Sequence, residues 1–336
     1  MKWLVGLLLL QFSLGWCTSS WTWGYRKRFS GSELDNLVGK AHLTFTKTAI
    51  PKFKQLIFSW NAYRPKQGYF TFYVQSEDAS SKKWSPWYRM VEWGSAVQRS
   101  HHIKFGSFDP QYHHVRLEQG SGCYASGFRL KVEAHGQAKL SNLRYLAVTT
   151  ADFSKLRPES PVSYHNLESF KIHGVPKYSQ MILRHDDAKK MCSPTAISMQ
   201  VGYLVKKNIN PLKFAKNSFD HGLQAYGSWP FNTAHAFELH SKNSFRVSRL
   251  DSFLELYDYL KKDIPVVVSV RGYMQGAPQE YKQGHLLLVV GWDQARQSVI
   301  CHDPAILGDQ FVEYAYDLVD FLPAWERSHR LAYIVD

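Results

Sequence analysis

The chain has 336 residues, 44% apolar and 15% aromatic, with 21% charged. That composition excludes an intrinsically disordered chain and leaves room for two domains, each with its own core. The formal charge is +13, and its excess is uneven: residues 20–150 carry 19 Lys and Arg against 8 Asp and Glu, residues 151–336 carry 21 against 20.

Lys2 precedes an apolar run from Leu4 to Leu14, and Ser13 and Gly15 supply small residues. This is the pattern of a secretory signal peptide over residues 1–17, too short to span a bilayer. Cys17 raises a lipid anchor, against which Trp16 fits poorly. No other stretch is apolar for long enough to cross a membrane. The expected location is outside the cytoplasm: periplasmic, envelope-associated or extracellular. Three cysteines then remain, Cys123, Cys192 and Cys301. An odd number leaves at least one thiol unpaired, and whether Cys123 and Cys301 pair stays open.

Residues 20–150 read as an all-β domain. Phe70, Phe72 and Val74 alternate with polar neighbours, as do Phe128, Leu130 and Val132. Leu43 and Phe45 start a third run, Leu56 to Trp60 a fourth. Pro65, Gly68, Asp109-Pro110 and Gly120 to Gly122 punctuate them, so short strands at this spacing predict a sandwich. The aromatic stretch Trp84-Ser85-Pro86-Trp87-Tyr88 to Trp93 reads as core and edge packing, with a platform for sugar rings or peptide as the other reading. The pairs His101-His102 and His113-His114 do not suit a metal, because neighbours on a strand face opposite sides. No metal and no cofactor is expected. The basic surface suits an anionic cell-envelope polymer or a lipid surface, and export argues against nucleic acid as the physiological partner.

A linker is expected over 151–170, with Pro158 and Pro161. Residues 171–336 then mix helix and strand. Cys192 lies where a loop turns into a helix: Pro194 fits the first turn, and Ile197, Val201, Leu204 and Val205 recur on one face. Unpaired N–H groups and the positive end of the helix dipole favour a thiolate there. Asp251 is expected to cap a helix bearing Phe253, Leu256, Tyr257 and Leu260. Ile264 to Val270, His285 to Trp292, Gln297 to Asp303 and Arg330 to Val335 read as strands. Helices first and strands after suggest an α+β domain.

The strands at 285 and 298 are joined by a short polar turn. Folding that hairpin about residues 294 and 295 brings His285 near Asp303. An imidazole held by a carboxylate, beside a thiolate, is the arrangement of nucleophilic cysteine catalysis. Gln180 lies upstream of the cysteine, where an amide could stabilise an oxyanion. The rival pair Cys301-His302 sits inside a strand without a helix dipole and reads as core.

Val175-Pro176-Lys177-Tyr178-Ser179-Gln180, Cys192-Ser193-Pro194-Thr195, Gly227 to Ala234, Pro265 to Val270, Gly284 to Gly291 and Asp303-Pro304-Ala305 together resemble the papain-like double-glycine, bacteriocin-processing cysteine peptidases of family thirty-nine, in their stand-alone exported branch. Ser59-Trp60-Asn61-Ala62 and Trp84-Ser85-Pro86-Trp87 resemble the β-sandwich that often precedes that domain. The resemblance implies a papain-like α+β peptidase domain after an all-β sandwich, with Cys192 as nucleophile, His285 as base, Asp303 as its orienting group and Gln180 in the oxyanion hole. Trp229 and Asn232 are expected to contact substrate, a peptide or protein. Ser193 replaces the usual glycine after the nucleophile, and the stretch from Gln180 to Cys192 is long and charged. With no membrane helix and no phosphate-binding glycine loop, the leader-peptide substrate of transporter-linked members does not carry over. An acyl transferase on the same fold and an inert back domain behind a binding sandwich are the alternatives.

Overall fold

The computed structural model describes residues 21–102, 111–113 and 116–336. The expected signal segment 1–17 with Cys17, the Asp109-Pro110 turn and His114 lie outside the described residues.

The front half contains β1 (Thr22–Arg28), a one-turn helix α1 (Gly31–Asp35), β2 (His42–Lys47), β3 (Gln55–Ala62), β4 (Tyr69–Asp78), β5 (Tyr88–Gly94), β6 (Gln98–Ser100), β7 (Gln111–His113), β8 (Arg116–Glu118), β9 (Ala125–His135) and β10 (Leu143–Ala151). They form two five-stranded antiparallel sheets, ordered β1-β10-β3-β8-β7 and β2-β9-β4-β5-β6. The period-two pattern decides which side chains lie between them. Phe70, Phe72 and Val74 of β4 and Leu130 and Val132 of β9 meet Leu56, Phe58 and Trp60 of β3 in one core. The Trp60 and Phe72 rings are 4.6 Å apart.

Of the expected core and edge packing of the aromatic stretch, Trp93 takes the core, where it is buried, while Trp84 and Trp87 lie outside it. Trp87 is 36% exposed and Trp84 half-buried. Both sit in the β4–β5 connection against Arg129 and Lys131, the outward-pointing residues of β9.

The back half is a seven-stranded sheet of β11 (Phe170–Lys171), β12 (Phe245–Arg249), β13 (Val266–Gly272), β14 (Tyr281–Asp293), β15 (Ser298–His302), β16 (Glu313–Asp317) and β17 (Leu331–Val335). The order is β12-β17-β13-β14-β15-β16 with β11 beside β14, and every pairing is antiparallel. Val266 to Val270 are all buried, as a continuous apolar run in a strand covered on both faces requires. The helices are α2 (Cys192–Val205), α3 (Pro211–Asn217), α4 (Trp229–Leu239), α5 (Phe253–Lys261) and α6 (Leu318–Arg327). They do not all precede the strands: α5 lies between β12 and β13, and α6 between β16 and β17. The cap of α5 is also one residue later than expected. Ser252 Oγ accepts the Glu255 N–H (3.2 Å), while Asp251 donates its own N–H to the Glu255 carboxylate (2.7 Å).

Strand β3 explains how the halves are joined. All eight of its residues are buried. The even-numbered ones face the sandwich core, and the odd-numbered Gln55, Ile57, Ser59 and Asn61 face β12 and its neighbours. Asn61 brackets the Phe245 backbone with two bonds of 2.8 Å, Ser59 Oγ accepts the Val247 N–H (2.9 Å), and Gln55 Oε1 accepts from Arg249 (2.6 Å). Side chains of one half thus satisfy the edge strand of the other. Ile57 belongs to the back core, and Phe231 of α4 belongs to the front core, edge-on to Trp60 at 5.5 Å. A second tie is buried Asp220, which accepts the Ser100 N–H (2.8 Å) and the Ser228 hydroxyl (2.6 Å). Gly222 is required there, because a Cβ would lie 1.9 Å from the Ser100 carbonyl oxygen.

Candidate active site

Cys192 is the first residue of α2 and is half-buried. The expectation that this helix buries one face is too modest. Ser193 to Tyr203 are all buried, because α2 is packed against β13, β14, α3 and α4 at once. Three of its polar side chains bond internally: Ser198 Oγ donates to the Pro194 carbonyl (2.6 Å), Gln200 Nε2 to the Pro265 carbonyl (2.7 Å), and Ser193 Oγ pairs with Tyr333 OH (2.8 Å), while Thr195 Oγ1 and Gln200 Oε1 are buried without a partner among the described residues. The helix start is therefore a rigid mount for the thiol, and the N–H groups of Cys192 and Ser193 have no partner within the helix.

His285 comes from β14, and Asp303 directly follows β15. The hairpin register pairs Leu288 with His302 and Val289 with Cys301. Next to the turn the pairing is shifted from the simple fold about residues 294 and 295, and a bulge between Val289 and Gly291 takes back one residue of that shift. Asp303 still reaches the imidazole, because the chain leaves the strand at that residue. His285 Nε2 donates to Asp303 Oδ1 (2.7 Å). An ionised carboxylate only accepts, so Nε2 carries the proton and Nδ1 is the nitrogen left for the thiol. Cys192 and His285 lie close enough for each to shift the other's ionisation.

Asp303 is fully buried and accepts four hydrogen bonds. Oδ1 takes His285 and the Ala305 N–H (2.9 Å), and Oδ2 takes the hydroxyls of Tyr281 and Tyr316, both at 2.7 Å. Burial alone would raise its pKa; the His285 charge and bond, with the two tyrosines, bring it below the ordinary carboxylate value. Burial likewise disfavours a charged His285, but the Asp303 charge and bond and the Cys192 partner raise its pKa to about 10. At Cys192 burial pushes the thiol up, and His285 with the backbone N–H groups of Leu286 and Ser193 brings it below the ordinary thiol value. The balance favours a thiolate–imidazolium pair.

Tyr281 and Tyr316 carry no signal in a linear motif. Tyr281 is placed by a bulge: Val270 pairs with His285 but Gly272 pairs with Tyr281, so β14 holds extra residues there. Gly284, at φ +93°, takes the left-handed turn this needs. Tyr281 then folds back onto the histidine ring, centroids 4.1 Å apart.

Gln180 is buried in the turn Gln180–Ile182, and its N–H donates to the Pro304 carbonyl (2.8 Å), one residue from Asp303. Its side-chain Nε2 donates to the carbonyls of Ala188 (3.2 Å) and Lys189 (2.8 Å), so loop carbonyls hold both amide protons. The long segment after Gln180 supplies them through its own turn, Ala188–Lys190. Asn232 corrects the expectation of substrate contact. It is fully buried, donating to the Tyr226 (2.9 Å) and Ser228 (3.1 Å) carbonyls and accepting from Ser218 (3.3 Å), which fixes the loop leading into α4. Trp229 is half-buried at the seam between the halves, with the Arg116 guanidinium 5.6 Å from its ring. Among the described residues, no hydrogen bond or ring contact links either one to His285 or Asp303. The rival thiol, Cys301, is buried, and burial holds its pKa well above the ordinary value. His302 bonds to the Pro176 carbonyl (3.0 Å) and Glu313 (3.3 Å) instead.

No curated protein matches the chain. A solved structure of a candidate C39-like peptidase from Bacillus anthracis aligns with 17% identity and a TM-score of 0.39, over 50% of this chain and 98% of that one. The span from 172 to 333, which carries Cys192, His285 and Asp303, matches the model of the Peptidase_C39 like family.

Proposed function

We propose that the chain is a cysteine peptidase that cleaves amide bonds with Cys192, His285 and Asp303. The observation that carries this reading is a buried imidazole fixed at Nε2 by a four-fold hydrogen-bonded carboxylate and electrostatically coupled to a thiol at a helix start. The Cys192 thiolate attacks the substrate carbonyl carbon, and the oxygen takes the charge. Backbone N–H groups at the start of α2 stabilise that oxygen, and the helix dipole adds to them. Gln180 joins them by exchanging its longer bond, to the Ala188 carbonyl, for the substrate oxygen. The imidazolium of His285 protonates the leaving amine as the C–N bond breaks, leaving a thioester on Cys192. His285 then takes a proton from water, which attacks the thioester and releases the acid. Tyr281 and Tyr316 act through Asp303, as positioning residues.

The apolar run at residues 4–14 supports an enzyme that works outside the cytoplasm, on a peptide or protein substrate. Among the described residues, no helix is long and apolar enough to cross a membrane. The deciding experiment is turnover of a generic peptide library by the full chain and by its Cys192→Ala variant. Cleavage by the first and none by the second is expected; equal product from both would refute the assignment.

A further inference from the structure

The outer face of the β2-β9-β4-β5-β6 sheet carries rings and cations in register. Across it, Thr44, Lys131, Tyr73 and Arg89 line up in one row, and Thr46, Arg129 and Gln75 in the next. Two residues along a strand separate the rows by about 6.5 Å. The β4–β5 connection folds Trp84 and Trp87 over these rows. The Arg129 guanidinium lies 4.0 Å from the Trp84 ring, and the Lys131 ammonium sits 4.5 Å from Tyr73 and 4.8 Å from Trp87. None of this belongs to the candidate active site or to the join between the halves.

The charge on this face does not cancel. Glu133 is matched by Lys131 (2.7 Å), and buried Glu92 by Arg99 (2.6 Å) and Arg89 (3.5 Å). Among the described residues, Arg129 bonds to a neutral acceptor, Gln75 Oε1 (3.3 Å). Lys82 and Lys83, exposed in the same connection as the two tryptophans, add to the excess. Self-repulsion of this kind contributes nothing to the fold and is relieved by an anionic partner.

We propose that this face docks an anionic polysaccharide. Three features together point to that class. Half-exposed rings offer flat apolar surface for the C–H faces of sugars, and the Arg129 guanidinium, bound to the Trp84 ring and not to a carboxylate, is held in place for an acidic group. The exposed hydroxyls of Thr44 and Thr46 flank the same rows and suit a hydroxyl-rich ligand. A lipid surface would use the charges and gain less from rings already packed against cations on the sheet. The docking surface would hold the enzyme on a polymer while leaving Cys192, in the other half, to its substrate.

The test uses the full chain, with tryptophan fluorescence and co-sedimentation as readouts. The probes are polygalacturonate, neutral dextran, vesicles rich in phosphatidylglycerol, and single-stranded DNA. Binding to polygalacturonate is expected, weakening steeply as salt shrinks the screening length from about 30 Å to about 8 Å. Dextran should bind far more weakly. Trp87→Ala and Arg129→Gln should each weaken polygalacturonate binding by about tenfold or more, a 1.4 kcal/mol effect. Trp87→Phe should retain most of it, and the Cys192 alkylation rate of each variant, unchanged, shows that the fold is intact. Absence of polygalacturonate binding overturns the proposal. So does binding to vesicles or DNA as tight as to polygalacturonate, or binding unaffected by Trp87→Ala.

Discussion

Tyr281 lies flat on the His285 ring, with 18° between their planes, while its hydroxyl donates to the same Asp303 that holds the imidazole. One side chain therefore restrains the base in two ways: it blocks rotation of the ring and fixes the carboxylate that sets its tautomer.

The two restraints can be separated. Tyr281→Phe keeps the stacked ring and removes the bond to Asp303; Tyr281→Ala removes both. A hydrogen bond to a charged group contributes about 1.5–3 kcal/mol, so Tyr281→Phe should lower kcat by about tenfold or more with KM little changed. Tyr281→Ala should be worse. Tyr316→Phe should resemble Tyr281→Phe, and the double variant should exceed either, because Oδ2 then has neither donor. Wild-type kcat in Tyr281→Phe would exclude the positioning role.

The pH dependence follows from the coupled pair. Activity should rise as the Cys192 thiol ionises, below the ordinary thiol value, and fall as His285 loses its proton near about 10. Asp303 is the largest upward influence on His285, so Asp303→Asn should move the alkaline limb to lower pH as well as reduce the rate. A pH–rate profile of kcat/KM for both proteins checks this, and an unmoved alkaline limb would contradict it.

Stability carries the same signature. The His285 pKa is raised on folding, so its contribution is complete below the ordinary value of 6.5 and is lost as pH rises through about 10. That of Asp303 is lowered, so its contribution is present above the ordinary 3.8 and is lost as pH falls through the depressed value. Melting temperatures between pH 6 and 10 should decline more for the wild type than for His285→Gln. Parallel declines would show that the pair does not stabilise the fold.

The sequence carried the geometry of the candidate site better than its surroundings. Cys192, His285 and Asp303 were legible because a helix start and a hairpin are local features that a short pattern encodes. The two tyrosines were not, since a bulge at Gly284 and a pairing across β15 and β16 bring them to Asp303, and neither leaves a local signature. Asn232 looked available because a polar residue in a motif says nothing about which carbonyls surround it. The β3 alternation was readable as a strand, but its polar face could not be recognised as the seat of β12, 184 residues further on for the Asn61–Phe245 bond. Which of the stretch's rings enter the core was not legible, because an aromatic-rich connection such as that of Trp84 and Trp87 can fold outward over a sheet as readily as inward.

That shared seam predicts that the halves do not live apart. Asn61→Ala removes two buried bonds to the Phe245 backbone and leaves its N–H and carbonyl unsatisfied, costing about 2–4 kcal/mol. A fragment covering 152–336 loses β3 altogether, with Ile57 from its core. It should aggregate or melt without cooperativity, as calorimetry would show. A cooperative transition near that of the full chain would mean that the seam is dispensable.

The most direct test of the account is the rate at which each cysteine alkylates in the folded full chain, followed by mass spectrometry from pH 5 to 9. Cys192 should react first, retain reactivity below the pH at which an ordinary thiol fades, and lose that advantage in His285→Ala. Faster reaction at Cys123 or Cys301, or an unchanged Cys192 profile in His285→Ala, would contradict the assignment of Cys192 and His285 as a catalytic pair.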